Sequence, residues 1–401
     1  MMARTGKTDT ILMTGVTGLV GSSVVVALIR RRVDCSFICI VRSRAGVSAF
    51  ERARIALRDE CDFEGCPELF RDVLNRVTVI DEDVSSFDVL KLSTSEALTS
   101  VNKVFHCAAD VNLGKDPTGK VFNVNFEGTR NMIALAKLLG VDEFHFVSTA
   151  YVAGKQAGVI YEETQNPASF NNPYEESKCK AEGLVRAAGI PFSIYRPGII
   201  VGRRSDGRIR KPLAFYRILE FLQKLKERAA KRTAVDPGSW VDMDMNCFAV
   251  ASKNVYFVPI DYVQEAISTL LQLKPGNLTY HVTGSHPVSA NQILEAVCDV
   301  FRLKGVTIGL DRECKTTEEK MFTKWVGDLF PYFSSDLIFD QTMIFRDVPA
   351  SKSWGYGCED LRMMIWAYLN DQFSHVQWVD KLLHEDAKQE PNRPNVKEKG
   401  Q

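Results

Sequence analysis

A tyrosine and a lysine stand four residues apart in Tyr174-Glu-Glu-Ser-Lys178. On a helix, positions i and i+4 share a face. The lysine ammonium then lies one turn from the phenol, where it favours the charged form and lowers the phenol pKa. Such a pair suits a group that gives or takes a proton near neutral pH. Upstream, the apolar run Phe144-His-Phe-Val-Ser148 ends in Ser148-Thr149, and a hydroxyl at a strand's end can hold a substrate oxygen beside the tyrosine. Each of these pieces alone also reads as ordinary surface. They acquire a chemical meaning from a third stretch, Thr10-Ile-Leu-Met-Thr-Gly-Val-Thr-Gly-Leu-Val-Gly-Ser22.

That stretch is a short apolar run, then glycines at 15, 18 and 21, then an apolar helical pattern. Gly15 permits a sharp turn, Gly18 lets backbone approach a pyrophosphate, and Gly21 lets the helix pack close to the strand. The turn Gly15, Thr17, Gly18, Leu19, Val20 and Gly21 then offers N–H groups and a positive helix end to phosphates. A plain tight turn between strand and helix is the alternative.

The next strand, Ser36-Phe-Ile-Cys-Ile-Val41, runs into Arg42-Ser43-Arg44. NAD sites place an acid about 20 residues after the glycines, on the ribose 2′-hydroxyl. Here two arginines stand instead, and a guanidinium matches a 2′-phosphate. The expected cofactor is NADPH, with Arg42 as the leading contact and Arg44 second; solvated loop arginines are the alternative. A third strand, Val77-Thr-Val-Ile80, leads to Asp83 and Val84, placed to hydrogen-bond and flank the adenine.

These residues need a scaffold. Up to about residue 200, strands alternate with helical patterns, which predicts a doubly wound α/β fold with a parallel sheet. Lys103–Ala109 reads as the fourth strand, 119–139 as a long helix, Phe144–Ser148 as the fifth strand, 175–188 as a helix and Phe192–Tyr195 as the sixth strand. Asn254–Asp261 and Leu278–Val282 read as returns to the sheet. The expected organisation is a Rossmann-type domain over 1–202, completed by about 251–284. A smaller, mostly helical substrate-binding lobe follows from 203–250 and 285–383, with a disordered tail over 384–401. Ligands of open α/β sheets bind at the carboxyl ends of the strands.

On these motifs the sequence resembles the extended short-chain dehydrogenase/reductases, and within them the thioester reductase and fatty acyl-CoA reductase branch. The resemblance rests on Thr14–Gly21, Val41-Arg42, Phe105-His-Cys-Ala-Ala-Asp-Val111, Val124-Asn-Phe-Glu-Gly-Thr129, Phe146-Val-Ser-Thr-Ala-Tyr-Val152, Tyr174–Lys178, Tyr195-Arg-Pro-Gly198 and Val258-Pro-Ile-Asp-Tyr-Val263, about two thirds of the chain. It implies that Thr149 and Tyr174 act on the substrate carbonyl, Tyr174 as general acid. Lys178 would bind the nicotinamide ribose and tune Tyr174. Asn125 would support a water or lysine relay, and His106, Ala108 and Ala109 would line the cofactor cleft. Pro197 and Gly198 would pack near the nicotinamide. The implied reaction is NADPH-dependent reduction of an acyl thioester, on coenzyme A or an acidic carrier protein, to an aldehyde and in a second round to an alcohol.

Composition sets bounds. Of 401 residues, 50 are Lys or Arg and 50 are Asp or Glu, so no global field points to nucleic acid. Ten cysteines are scattered without a Cys-x-x-Cys pair or a His/Cys cluster, which argues against zinc and for reduced thiols in a cytoplasmic setting. No apolar run reaches membrane-spanning length. The most basic region is Arg208–Lys211 with 224–232; it reads as an amphipathic helix on the lobe, or as a docking face for an acidic partner. Two rival functions remain: an NAD(P)-dependent dehydrogenase of a secondary alcohol, ketone or sterol-like substrate, and a non-catalytic NAD(P)-binding scaffold. Cys107 and Cys179 adjoin motif residues and read as packing rather than as nucleophiles.

Overall fold

A computed structural model describes residues 8–309 and 314–370. Seven parallel strands form the central sheet: β1 (Asp9–Thr14), β2 (Cys35–Val41), β3 (Val77–Asp81), β4 (Lys103–His106), β5 (Glu143–Val147), β6 (Phe192–Pro197) and β7 (Leu278–Val282). Their order is β7-β6-β5-β4-β1-β2-β3, so the chain reverses direction across the sheet between β1 and β4. This is the doubly wound arrangement expected from the alternating pattern.

The register aligns the site. Thr14 lies beside His106 and Ile40, His106 beside Phe146, and Phe146 beside Ile194. The carboxyl ends of β1, β4, β5 and β6 therefore come out along one edge. Strand residues alternate between two apolar layers. Leu12, Ile38, Val104, Phe144, Phe146 and Ile194 face one, and Ile11, Met13, Phe37, Cys39, Phe105 and Tyr195 face the other. The second layer continues into residues of the 203–250 and 285–370 segments, among them Phe215, Leu219, Met243, Val297 and Tyr332.

Helix α1 (Leu19–Arg30) follows the glycine turn, and α2 (Ala49–Phe63) is capped by Ser48. The expected long helix over 119–139 is interrupted. A short helical turn at Lys120–Phe122 leads into a π-helical turn over Asn123–Glu127, then into α3 (Gly128–Leu139). Such turns often sit at functional sites. Helix α4 (Pro173–Arg186) carries Tyr174 and Lys178; Asn172 caps it through the Glu175 N–H, and Pro173 opens it.

Two expectations are corrected. Phe257–Pro259 does not return to the sheet. It pairs with Ile199–Val201 in a separate parallel ribbon, while Asn254–Val255 pairs with Val288–Ser289. The chain leaves the sheet at Pro197, which has no N–H to give a neighbour. Gly198 then passes so close to Tyr256 that a Cβ would lie 2.6 Å from its carbonyl oxygen. The second set of segments also holds more strand than expected: Val241–Phe248 pairs with Leu303–Gly309. Helix α5 (Phe215–Thr233) buries its apolar face, and three of its cations are paired nearby: Arg217 with Asp328, Lys224 with Glu220, and Arg232 with Glu318. The tail expected over 384–401 lies outside the described residues. Among those described, no helix is long and apolar enough to cross a membrane, and no group of three or more His, Cys, Asp or Glu is placed to hold a metal.

Arg196 and Glu182 tie β6 to α4 within the core. The guanidinium is 0% exposed and bonds both carboxylate oxygens, at 2.9 and 2.6 Å. It also donates to the carbonyl of Glu163 at 2.8 Å. Removing one partner of a buried pair strands the other charge, at about 3–5 kcal/mol. Arg196→Met should therefore lose about 3 kcal/mol in urea unfolding; a loss below about 1 kcal/mol would show that water or Arg186 replaces the contact.

Candidate active site

The site is assembled along the carboxyl edge, beginning with the glycine turn. Gly15 has φ +81°, and a Cβ there would lie 2.7 Å from the backbone of Cys107 and of Ala108. A Cβ on Gly21 would lie 2.1 Å from the carbonyl oxygen of Gly15. Gly18 is the N-cap of α1, and no side chain caps that helix. Thr17 and Gly18 are partly exposed, while Leu19 and Val20 are buried as the first residues of α1. Backbone N–H groups at a helix start, with no side chain in front of them, fit a diphosphate.

From the turn a hydrogen-bonded rail runs inward. The Thr14 hydroxyl oxygen accepts from the N–H groups of Cys107 (3.2 Å) and Ala108 (3.1 Å) and lies 2.7 Å from His106 Nδ1. His106 Nε2 lies 3.0 Å from the Thr129 hydroxyl, which donates to the carbonyl of Asn125 at 2.6 Å. With its own proton so used, Thr129 accepts from Nε2–H, and Nδ1 accepts from Thr14. His106 is therefore neutral. Burial pushes its pKa down to about 3, and the Lys178 charge pushes the same way.

Asn125 sits in the π-helical turn. Its amide accepts from the Asp110 N–H at 2.8 Å and donates to the Asp110 carbonyl and the Ser177 hydroxyl, each at 3.0 Å. Ser177 donates to the carbonyl of Tyr174 at 2.8 Å. The rail thus joins the glycine turn to the first turn of α4.

Tyr174 and Thr149 are hydrogen-bonded at its end, and Lys178 follows one turn on along α4. Lys178 is 1% exposed; its ammonium donates to the Val147 carbonyl at 2.6 Å and stands 4.0 Å above the Phe146 ring. Burial lowers its pKa to about 8, with Cys107 and Glu182 opposing. The sequence predicts a Tyr174 phenol lowered by Lys178. The structure shows the opposite: burial raises it, and a hydrogen bond with Thr149 offsets this only in part. The phenol is therefore a neutral, protonated acid at pH 7. Cys107 lies close enough to influence both groups, yet burial pushes its thiol up to about 12, so it is no thiolate nucleophile. Cys179 is likewise raised to about 11 by burial.

At the far end of the edge an open cleft of about 580 Å³ is lined by Arg42, Arg44, Lys120 and Asp83 among others. The Arg42 side chain is 42% exposed, and its guanidinium meets Asp83 at 2.7 Å. Asp83 also accepts from the Ser85 N–H and hydroxyl, so although burial raises its pKa, these bonds hold it below the usual range. Val84 packs against Gly128, where a Cβ would lie 2.4 Å from the valine methyl, and its carbonyl accepts from Asn131. Ala108 and Ala109 are partly exposed beside the turn; Pro197 is buried and Gly198 partly exposed at the end of β6.

Sequence reasoning missed Lys120 at the cleft, Ser177 and Thr129 in the rail, and Arg210 at the glycine turn. The four-residue spacing of Asn125 and Thr129 was a readable signal for one helical face.

The family described as male sterility protein, an NAD-binding family, matches residues 13–267. The chain belongs to this family. The chain is also similar to parts of longer proteins, spanning about a quarter of the first relatives it matches. Over 291 residues it is 26% identical to the non-canonical nonribosomal peptide synthetase FrzA of a Cladobotryum species, covering 68% of this chain and 26% of that one. Over 145 residues it is 31% identical to human fatty acyl-CoA reductase 2, covering 35% and 28%. The fold matches the terminal R domain of the myxalamid PKS-NRPS pathway with TM-score 0.71 at 21% identity, over 92% and 93% of the two chains. Membership bears out the resemblance read from the motifs, with an NAD(P)-binding Rossmann fold at its centre.

Two outcomes follow. Gly21→Ala should weaken dinucleotide binding by about tenfold or more, measured by calorimetry, because its Cβ collides with the turn. The pH profile of kcat/KM should fall above about pH 8 as Lys178 loses its proton; a flat profile to pH 10 would contradict the role of its charge.

Proposed function

We propose that this protein is an NADPH-dependent reductase of acyl thioesters carried on coenzyme A or on a carrier protein, giving an aldehyde and, after a second round, an alcohol. The observation that carries the reading is the neutral Tyr174 hydroxyl bonded to Thr149, one helical turn from a buried lysine. Membership of a family whose relatives include a fatty acyl-CoA reductase and a peptide synthetase favours a thioester over a ketone. The chain spans only about a quarter of those two relatives, so its own substrate is inferred from them.

The bound dinucleotide supplies the hydride. Residues of this chain do the rest. The turn from Gly15 to Gly21 receives the diphosphate, and Ala108, Ala109, Pro197 and Gly198 border the nicotinamide end. Thr149 and Tyr174 hold the carbonyl oxygen, and their two hydroxyls stabilise the negative charge that develops on it. Tyr174, kept protonated by its surroundings, gives its proton to that oxygen. Lys178 lies one turn away to stabilise the phenolate left behind, and its first bond, to the Val147 carbonyl, holds it at the strand end. Collapse of the resulting hemithioacetal releases the thiol and leaves the aldehyde.

NADPH is favoured over NADH by three cations that line the cleft, Arg42 and Arg44 after β2 and Lys120 at the helical turn after β4. Arg42 is oriented by Asp83, so a 2′-phosphate would meet a guanidinium already aimed at the cleft. Arg42→Ala should cost NADPH about tenfold in affinity and leave NADH nearly unchanged.

The test is NADPH consumption with acyl-CoA, acyl-pantetheine, the matching aldehydes and a steroid ketone, with products identified by mass. Aldehyde or alcohol from a thioester, reduced by about 10²-fold or more in Tyr174→Phe, is expected. Turnover of ketones alone would move the protein to the alcohol dehydrogenases, and dinucleotide binding without any turnover would make it a scaffold.

A further inference from the structure

The basic segment after β6 folds back over α2 and reaches the glycine turn. Arg203 donates to the Phe63 carbonyl at 3.0 Å, at the C-terminal end of α2 where the helix dipole favours a cation. Its guanidinium also lies 4.1 Å above the Phe63 ring, and that of Arg208 lies 5.7 Å from the same ring. These arginines are engaged within the molecule rather than offered to an acidic partner.

Arg210 goes further. Its Nε donates to Glu60 Oε2 at 2.6 Å. Its Nη2 donates to the Ser22 hydroxyl at 2.6 Å and lies 3.3 Å from the carbonyl oxygen of Gly18. Glu60 is 1% exposed and Ser22 is fully buried; the serine hydroxyl, with one proton to give, lies 2.8 Å from the Gly18 carbonyl oxygen and 3.1 Å from Glu60 Oε2. One guanidinium therefore spans three oxygens: the N-cap carbonyl of α1, a hydroxyl one turn further on, and a buried carboxylate of α2. An apolar trio would fill this space without the desolvation cost of a buried ion pair. What the ionic trio adds is direction, since a planar fork fixes its acceptors in a way a lysine point charge does not.

We propose that Arg210 is a positioning residue for dinucleotide capture. It fixes the Gly18 peptide and the first turn of α1 in the orientation that receives the diphosphate, and it ties to them the segment leading into α5. The inference rests on the glycine turn being the dinucleotide site.

The experiment measures NADPH affinity by calorimetry on substrate-free protein, together with thermal unfolding, for the native chain, Arg210→Gln, Arg210→Lys and the double variant Glu60→Gln with Arg210→Gln. Arg210→Gln should raise the Kd by about tenfold and lower the Tm, because Glu60 is left buried without its cation. The double variant removes both charges; it should recover most of the Tm while the Kd stays raised. Arg210→Lys should not restore the Kd. A double variant of native stability that binds NADPH within about twofold of the native chain would overturn the role of Arg210 while leaving the turn as the cofactor site. Native protein that binds neither NADPH nor NADH would overturn the site reading itself, and this inference with it.

Discussion

A neutral imidazole in the middle of the sheet edge governs the arrangement around it. Had His106 carried a second proton, on Nδ1, it could not accept from Thr14, and the chain of bonds from the glycine turn to Asn125 would break at its centre. Burial makes the charged form too costly, so the direction of every bond in the rail is set. Thr14 stays with the backbone of Cys107 and Ala108, and Asn125 stays with Ser177 under Tyr174. A buried polar network of this kind is favourable only when every member is satisfied. That condition fixes the spacing between the cofactor turn and the proton donor.

The same desolvation sets the chemistry. It raises the Tyr174 phenol and lowers the Lys178 ammonium to about 8, driving apart two proton affinities that are nearly equal in water. A phenol that holds its proton at neutral pH can donate it to an oxyanion, and a lysine near pH 8 can follow with its charge. Proton donation, rather than phenolate nucleophilicity, is what the surroundings favour. The thiols near the site are raised for the same reason and stay silent.

Much of this was legible in the chain. The strand–turn–helix at Gly15–Gly21, the Tyr174/Lys178 spacing and the alternating strands of the sheet each follow from local pattern, and local pattern is where sequence is most informative. The edge order and the Thr14–His106 bond depend on residues 92 apart and were not readable. The strand Val241–Phe248 did carry a signal, with Val241, Met243 and Met245 buried and Asp242 and Asp244 exposed between them. Its partner, Leu303–Gly309, lies some sixty residues on and is bent at Gly305, so no hairpin spacing advertised the pair. The phenol shift was misjudged because a one-turn lysine is visible in sequence while the burial that outweighs it is not. The basic run at 203–211 was readable as charge but not as a strap, since its acceptors lie on α1 and α2.

The most direct test of the account is the fate of the transferred hydrogen. NADPH deuterated at the nicotinamide C4 would be mixed with an acyl-pantetheine thioester under single-turnover conditions, and the aldehyde trapped and weighed. One deuterium on the carbonyl carbon of the aldehyde, with free thiol released in equal amount, is the predicted result. Aldehyde without deuterium, or thiol released without oxidation of the cofactor, would contradict hydride reduction of a thioester at Thr149 and Tyr174.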